Sequence, residues 1–200
     1  MEPSSVSHHP DEAALIARSQ SGDLEAFDAL VLRHQQEVFA VAMRMLGDRD
    51  DAQDVAQDAL VRAYRAIGTF RGQAKLSTWL VSITMNLCRN RRRWWARRRQ
   101  FVVASLDDPV ETGEGTLARE VADPSPSPAA LAQRRERQQQ VADALQRLSE
   151  RERSVVVLRD LQGYSYEEMA GALRCRVGTV KSRLSRARLR LRAILDGVLA

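Results

Sequence analysis

Four closely spaced aspartates are the part of this sequence nearest to a catalytic pattern. They are Asp50, Asp51, Asp54 and Asp58. Carboxylates at short spacing hold the metal ions with which nucleases and nucleotidyltransferases act on phosphate esters, so a nucleic-acid enzyme is one hypothesis. However, steps of three and four residues place three of the aspartates along one edge of a helix, without a convergent His or Glu. We therefore expect no catalytic residue, no metal and no cofactor.

The same region carries an acidic stripe, which we define as Asp51, Asp54 and Asp58 with Gln57 beside them. The stripe lies in a segment that is otherwise basic, and it would repel DNA. A surface of this kind suits a protein partner. The alternative is a face that only keeps the protein in solution, and the sequence leaves both interpretations open.

An Arg/Trp cluster follows at residues 89–99, which contain seven Arg and the adjacent Trp94 and Trp95. Arginines neutralise phosphates and indole rings stack on unpaired bases, so the cluster predicts contact with single-stranded DNA. In the alternative, a tryptophan packs into the core and the arginines anchor duplex phosphates. Helical spacing assigns Trp79, two residues after Ser77, to the core.

The sharpest pattern lies at residues 164–192. A short helix with Met169, Ala170 and Leu173 inward is followed by a tight connection and a second helix with Val180 and Leu184 inward. That spacing predicts a helix-turn-helix, in which the small Ala170 lets the two helices cross closely.

The second helix of this motif is basic on its outward face. Residues 174–192 contain eight basic residues and no acid, whereas a helix that is only solvated mixes both signs to gain i,i+4 pairs. Arginine reads guanine edges, while Ser, Thr and a helix N-terminus hold phosphates. The side chains left free to meet DNA are Thr179, Lys181, Ser182, Arg183, Ser185 and Arg186.

Charge is distributed in blocks along the 200 residues, whose formal net charge is +5. Residues 24–99 carry 14 Lys and Arg against 8 Asp and Glu, residues 100–133 carry 1 against 6, and residues 138–200 carry 12 against 7. The pattern predicts two basic bodies joined by an acidic tether. Almost all of the basic residues are Arg, which favours recognition of planar groups and phosphates.

Other residues with reactive side chains have simple interpretations. Cys88 and Cys175 lack the spacing of a zinc site and are interpreted as reduced thiols. His8 and His9 belong to a frayed tail rather than a metal site. Because neither a signal peptide nor an apolar run of membrane-spanning length is present, we expect a cytoplasmic protein with no membrane contact of its own.

The elements that position these groups are helical. After an N-terminal tail and helix lead-in at residues 1–23, apolar residues at three- and four-residue steps predict a helix from Leu24 to Gly47. A second runs from about Asp51 to Ile67, and a third, capped by Ser77 or Thr78, continues into the Arg/Trp cluster. No segment alternates with period two, so the predicted fold class is all-α.

Periodicity disappears between residues 100 and 133, where four of the six prolines fall. Such a segment cannot bury a core and predicts a flexible linker. Helical patterning resumes after it, and two capping boxes, Ser149 with Glu152 and Ser165 with Glu168, open new helices.

These features in this order resemble the extracytoplasmic-function sigma factors of bacterial RNA polymerase, from about Asp23 to Leu195. The segments that carry the resemblance are DAQDVAQDALVRAYRAIGTFRG (51–72), STWLVSITMNLCRNRRR (77–93), GYSYEEMAGAL (163–173) and GTVKSRLSRARLRLR (178–192). The resemblance implies two small helical domains: sigma region 2 at residues 24–99 and region 4 at residues 138–200, with a Pro-rich acidic linker at 100–137.

The family also implies partners. Core RNA polymerase would bind region 2 through the clamp helices of its beta-prime subunit and region 4 through its beta flap. An anti-sigma factor would cover the acidic stripe and the second helix of the helix-turn-helix, which is the recognition helix. The positions that match the clamp-binding surface are Asp51, Asp54, Gln57, Asp58 and Val61.

Promoter DNA, double- and single-stranded, is the other implied partner, with Asn86 near a flipped non-template base. The positions that match the reader of the minus-ten element are Trp79, Asn86, Arg89, Arg91, Arg92, Arg93 and Trp94. Those that match the reader of the minus-thirty-five element are Arg176, Gly178, Thr179, Lys181, Ser182, Arg183, Ser185 and Arg186.

Three positions depart from the family pattern. Arg174 stands where a turn glycine is common, Arg176 where a serine often caps the recognition helix, and Asn90 where an aspartate is common. The first two put the turn geometry and the helix cap in question. The rival interpretation, a stand-alone helix-turn-helix regulator, would need an apolar dimerisation helix or an effector domain instead of the stripe and the Arg/Trp cluster.

Overall fold

The fold is described from a computed structural model, which covers residues 10–103 and 128–197. Within these two ranges every regular element is helical and no strand occurs. The α-helices are α1 (Pro10–Gln20), α2 (Leu24–Leu46), α3 (Arg49–Ala66), α4 (Leu76–Val103), α5 (Pro128–Arg147), α6 (Glu150–Val156), α7 (Tyr166–Leu173) and α8 (Val177–Asp196). A 3-10 turn at Ile67–Thr69 follows α3, and a π-helical turn at Val157–Leu161 follows α6.

Helices α2, α3 and α4 form the N-terminal body, and their ends are specified locally. The Asp23 carboxylate accepts a hydrogen bond from the Ala26 amide, which caps α2. Gly47 ends α2 at φ 80°, a left-handed conformation that favours glycine. One residue later, Asp48 caps α3 through the Asp51 amide at 2.8 Å. The sharp α2–α3 turn that results brings two amphipathic faces together.

The structure contains a helix, α1, where the sequence predicts only a tail and helix lead-in. Its side chains Leu15 and Ile16 are buried in the core, and Gln20 Nε2 donates to the carbonyl oxygens of Ile67 and Phe70. With only two buried apolar residues, α1 shows too weak a periodicity to be recognised without its partner α2. His8 and His9 lie outside the described residues.

The predicted cap of the third helix is wrong. Helix α4 begins at Leu76, and the Trp79 amide already donates to the Lys75 carbonyl at 3.1 Å. Ser77 and Thr78 therefore lie inside the first turn, where Thr78 is buried. Leu76, the first residue of α4, is almost completely buried, so the helix begins at a core side chain.

Helical structure also extends into both ends of the predicted linker. Helix α4 continues to Val103, and α5 begins at Pro128, ten residues before the predicted start of region 4. Proline suits the first turn of a helix, and the Ala, Gln, Arg and Glu residues that follow are strong helix formers. Residues 104–127 of the predicted linker lie outside the described ranges.

The C-terminal body contains the predicted helix-turn-helix, formed by α7 and α8. Both capping boxes are confirmed, since Ser149 with Glu152 opens α6 and Ser165 with Glu168 opens α7. Arg174 takes the left-handed conformation at φ 50° that glycine would otherwise supply, so the turn geometry is kept at a cost in strain. Arg176 precedes α8 without a side-chain cap, as the departure from the family pattern suggested.

The two bodies pack against each other through one continuous hydrophobic core. Leu145, Leu148 and Val157 belong to the same buried cluster as Val41 and Met45 of α2. We call this contact between the two bodies the seam. A fully buried arginine, Arg153, lies among its apolar residues, so the seam also contains a polar group.

Candidate nucleic-acid interface

Helix α8 presents the predicted DNA-reading residues outward. Val180, Leu184 and Ala187 are buried on its inner face, whereas Thr179 and Arg183 are half-buried. The residues exposed on the outer face and at the start of the helix are Arg176, Gly178, Lys181, Ser182, Ser185 and Arg186. All eight predicted residues therefore lie near one another on a surface that the fold leaves open. The inner-face predictions are also confirmed for Met169, Val180 and Leu184; Ala170 and Leu173 are half-buried.

Charge pairing divides α8 into two halves. Arg188 pairs with Asp160, Arg190 with Glu152 and Arg192 with Asp196. Among the residues that the structure describes, Lys181, Arg183 and Arg186 have no carboxylate within ion-pair distance. The N-terminal half of α8 thus keeps a positive charge that the fold does not neutralise.

A tyrosine and an arginine beside α8 were missed by sequence reasoning. The ring of Tyr166, the first residue of α7, lies 4.9 Å from the Arg159 guanidinium carbon and 5.3 Å from the Lys181 ammonium nitrogen. Arg159 belongs to the π-helical turn and also donates to the Tyr164 carbonyl at 2.7 Å. Because Arg159 lies far from the recognition helix in the sequence, no local sequence pattern indicates that the two share a contact with Tyr166.

The two adjacent tryptophans of the Arg/Trp cluster lie at the surface. Trp94 is 41% exposed and Trp95 39%, and their rings meet edge to face with centroids 4.9 Å apart. The Arg98 guanidinium lies over the Trp94 ring at 5.1 Å. Arg93 is exposed beside them. The alternative in which these tryptophans pack into the core is therefore wrong.

Trp79 behaves as helical spacing indicated. It is half-buried against the core, and its ring lies 5.2 Å from that of Phe70. A role for Trp79 in reading the minus-ten element stays a prediction.

The acidic stripe and the Arg/Trp cluster contact each other. Arg91 Nε lies 3.1 Å from Asp51, and Arg91 Nη2 lies 2.6 Å from Asp54. The Trp95 indole donates to the other Asp51 oxygen at 2.8 Å. Two groups predicted to bind different partners are thus joined between α3 and α4.

Other members of the cluster face the C-terminal body. Arg89 Nε donates to Glu150 at 2.8 Å, and its Nη1 donates to Asn86 at 3.2 Å. Arg92 Nη1 donates to the Met45 carbonyl at 3.1 Å and approaches Gln146. These side chains are therefore engaged at the seam between the bodies.

The outward face of α3 combines charge with apolar surface. Asp54, Gln57 and Asp58 are exposed, while Asp51 is half-buried under Arg91. Val61 and Tyr64, one turn further along, are 42% and 41% exposed. Acids and partly exposed apolar side chains thus share one face of α3, which is the composition expected of a surface that binds a protein partner. Tyr64 was missed, although its three-residue step from Val61 was visible in the sequence.

The remaining reactive residues do not assemble into a site. The described parts of the chain contain no group of three metal-ligating side chains, so the aspartates do not converge. Cys88 is fully buried, which raises the pKa of its thiol to about 12. Cys175 is half-buried, and Arg183 Nη1 lies 3.9 Å from its sulfur.

A helix that could span a membrane is absent from the part of the chain that the structure describes.

Comparison with known proteins agrees with this arrangement. Residues 30–99 match the sigma-70 region 2 family and residues 138–191 match sigma-70 region 4. The RNA polymerase sigma-H factor of Pseudomonas aeruginosa is 40% identical over 174 residues, which cover 87% of this chain and 88% of the relative. The ECF RNA polymerase sigma-E factor of Escherichia coli K12 is 34% identical over 183 residues, which cover 92% of this chain and 93% of the relative. The chain belongs to the extracytoplasmic-function sigma factors.

Two solved structures align with most of this sigma factor. The solved structure of CnrH in complex with the cytosolic domain of CnrY aligns with TM-score 0.66 and 29% identity, covering 94% of this chain and 99% of that one. The sigma factor RpoE in complex with the anti-sigma factor NepR from Bartonella quintana also aligns with TM-score 0.66. The two sequences are 27% identical, and the alignment covers 86% of this chain and 98% of that one.

The function follows from family and fold together. The protein is an alternative sigma factor that directs transcription initiation. The stand-alone regulator is not favoured, because region 2 occupies the place where a dimerisation or effector domain would be needed.

Proposed function

We propose that this sigma factor binds core RNA polymerase through the outward face of α3. The face carries Asp54, Gln57, Asp58 and Val61, with Asp51 at its edge. Exposed acids beside exposed apolar side chains suit a basic and partly apolar partner, which fits the beta-prime clamp helices implied by the family. Region 4 would contact the beta flap in the same assembly.

The N-terminal half of α8 is proposed to read the minus-thirty-five element in the major groove. The observation that supports this proposal is a set of three cations on the open side of the helix-turn-helix, Lys181, Arg183 and Arg186. Within the described residues, none of them has a carboxylate within ion-pair distance. Since Arg176 supplies no side-chain cap, the first amides of α8 are available to a DNA phosphate. Phosphate contacts would position the helix, and contacts to base edges would choose the sequence.

The minus-ten element is proposed to bind the exposed side of α4, where Arg93 and Trp94 are open to solvent. Asn86, Arg89 and Arg92 would join them only after the C-terminal body moves away from α4, because these three residues contact one another or the seam. Arg91 would likewise have to leave Asp51 and Asp54. The free protein should therefore bind promoter DNA poorly, and core polymerase should hold the two bodies apart.

The chain itself supplies sequence choice and capture of melted bases, while the polymerase performs the chemistry. No catalytic residue, metal or cofactor is needed for that role, which would be carried out in the cytoplasm. Unstacking a base costs a few kcal/mol, and insertion of the base into a pocket offsets that cost.

An anti-sigma factor is a further proposed partner. Two similar proteins were solved with partners: CnrH with the cytosolic domain of CnrY, and the sigma factor RpoE from Bartonella quintana with the anti-sigma factor NepR. For this chain the inhibitor is expected to cover the acidic stripe and the recognition helix. An inhibitor that bound the protein and left binding to core polymerase and to DNA unchanged would disprove this expectation.

The test is run-off transcription by sigma-free core polymerase with the purified chain and a library of promoter fragments. We expect transcripts from a sequence-defined subset. Asp58→Arg should abolish core binding, since Asp58 is exposed and lies outside the Arg91 contacts. Asp143→Arg on α5 is the matched control, because it makes the same charge change at another exposed site.

The outcomes separate the parts of the proposal. Loss of core binding with Asp58→Arg but not with Asp143→Arg supports the α3 surface. Equal core binding by both variants would disprove that surface while leaving the family assignment intact. Absence of transcripts from every fragment with active core polymerase would contradict promoter recognition itself.

A further inference from the structure

Two cations that lie far apart in the sequence share one aromatic ring in the C-terminal body. The Arg159 guanidinium carbon is 4.9 Å and the Lys181 ammonium nitrogen 5.3 Å from the centroid of the Tyr166 ring. The face of an aromatic ring carries negative charge density and attracts cations at this distance. Tyr166 thus brings a residue of the π-helical turn next to a residue of the recognition helix.

The ring is held in a rigid frame. Ser165 caps α7 in a capping box with Glu168, which fixes the backbone at Tyr166. Arg159 is anchored on the other side by its 2.7 Å hydrogen bond to the Tyr164 carbonyl. Tyr166 itself is half-buried against the core. Arg159 is therefore held by a main-chain carbonyl and the Tyr166 ring, and Lys181 by the ring, rather than by a carboxylate.

Nearby acids have other partners. Asp160 pairs with Arg188, and Glu168 accepts from the Ser165 amide and pairs with Lys75 at 2.9 Å. Glu167 is exposed on the first turn of α7. Within the described residues neither Arg159 nor Lys181 has a carboxylate within ion-pair distance. An anionic ligand could therefore bind Arg159 and Lys181 without displacing a carboxylate of the protein.

We propose that Tyr166 is a positioning residue for minus-thirty-five recognition: its ring holds Lys181 ready for DNA, and it places Arg159 as an additional phosphate contact beside the helix-turn-helix. This inference rests on the proposed function and extends the DNA surface from α8 to the π-helical turn. This π-helical turn directly follows α6, and π-helical turns are frequent at functional sites.

The expected effect of Tyr166 is pre-organisation. A lysine loses much rotamer freedom when it is fixed at an interface, and a side chain already held in the bound geometry loses less. Removing the ring should weaken binding without changing the number of phosphates that the protein neutralises. Removing Arg159 should lower the number of neutralised phosphates by one. Each lost phosphate contact lowers the steepness of log K against the logarithm of the salt concentration by about 1.

The experiment measures Kd of the complete holoenzyme, this chain with core polymerase, for a minus-thirty-five-containing promoter fragment obtained from the run-off library. The measurement is repeated over a series of salt concentrations. Tyr166→Leu is expected to weaken binding by roughly three- to tenfold with an unchanged salt slope. Tyr166→Phe keeps the ring and should bind as the wild type does. Arg159→Gln should lower the salt slope by about 1.

A double-mutant cycle tests the link to Lys181. If the ring acts through that lysine, the loss from Tyr166→Leu should shrink in a Lys181→Met background. Full additivity of the two losses would overturn the positioning role. So would an equal loss in Tyr166→Phe and Tyr166→Leu, since the hydroxyl would then be responsible. Wild-type binding by Tyr166→Leu would also overturn it.

Folding and function are checked separately. Circular dichroism and the thermal midpoint of each variant show whether a loss of promoter binding is caused by unfolding. If Tyr166→Leu is unstable, Arg159→Gln still tests the phosphate contact, because it leaves the ring in place. An unchanged salt slope in Arg159→Gln would overturn the phosphate contact. A wild-type holoenzyme without sequence-specific transcripts would instead contradict the proposed function.

Discussion

The guanidinium of Arg153 donates a 2.6 Å hydrogen bond to the backbone carbonyl of Met45, which joins region 4 to the last turn of α2 in region 2. Arg153 is fully buried, and its other N–H groups donate to the Leu145, Gln146 and Leu148 carbonyls and to the Gln146 side chain. The final carbonyls of a helix have no partner within it and carry partial negative charge, so a buried cation is accommodated there. Arg153 thus satisfies groups from both bodies at once.

The first prediction concerns this arginine. Arg153→Met should lower the free energy of unfolding by about 2–4 kcal/mol, because it removes five hydrogen bonds between the arginine and the residues around it. Urea unfolding followed by circular dichroism measures the change. Arg151→Met, at an exposed position on the same helix, is the control and should alter stability by less than about 0.5 kcal/mol. Equal midpoints for the two variants would show that the buried hydrogen bonds contribute nothing.

The turn of the helix-turn-helix should gain stability from glycine. Arg174 has φ 50°, where a side chain with Cβ is strained by about 1 kcal/mol. Arg174→Gly is therefore expected to raise the thermal midpoint, whereas Arg174→Ala, which also removes the charge but keeps Cβ, should not. If both variants melt at the same temperature, the strain argument fails.

The start of α8 lacks a side-chain cap, so a third prediction concerns Arg176. Its backbone is extended, at φ −70° and ψ 147°, which is the conformation a capping serine requires. Arg176→Ser should stabilise the protein by about 1 kcal/mol, and it should weaken promoter binding if Arg176 contacts DNA. Arg176→Ala removes the same charge without adding a cap and serves as the control. A serine variant no more stable than the alanine variant would rule out the capping effect.

The fourth prediction concerns the pH dependence of the seam. The imidazole of His34, and to a smaller extent the Tyr164 hydroxyl that donates at 2.6 Å, hold the pKa of Glu37 below its usual value of 4.5 despite partial burial. A carboxyl with a lowered folded pKa adds stability that is present above its usual pKa and is lost as pH falls through the folded value. We therefore expect stability to decrease as pH is lowered below the usual glutamate pKa of 4.5.

The measurement is the urea midpoint of wild type and Glu37→Gln between neutral and acidic pH. The variant should be less stable at neutral pH and should lose less stability on acidification. Glu136→Gln on the exposed part of α5 is the control and should follow the wild-type curve. Parallel curves for wild type and Glu37→Gln would contradict the assignment.

Much of this structure was predictable because the relevant interactions are local. The apolar steps of α2 and α3, the glycine at 47 and the two capping boxes each act within a few residues, so they can be recognised one segment at a time. The outward face of α8 follows from the same periodicity. Even the strained turn was signalled, since Arg174 stands where a left-handed residue is required.

Only tertiary structure decided which partner each arginine has. Arg91 binds the acidic stripe, Arg89 and Arg92 bind the seam, and Arg153 is buried, although all four look alike in the sequence. An arginine reaches acceptors far along the chain, and its choice depends on which helix ends and carbonyls the packing brings within a few ångströms. Short-range patterns determined the helices and their exposed faces, whereas long-range packing decided which of the predicted DNA-binding cations are free in this conformation.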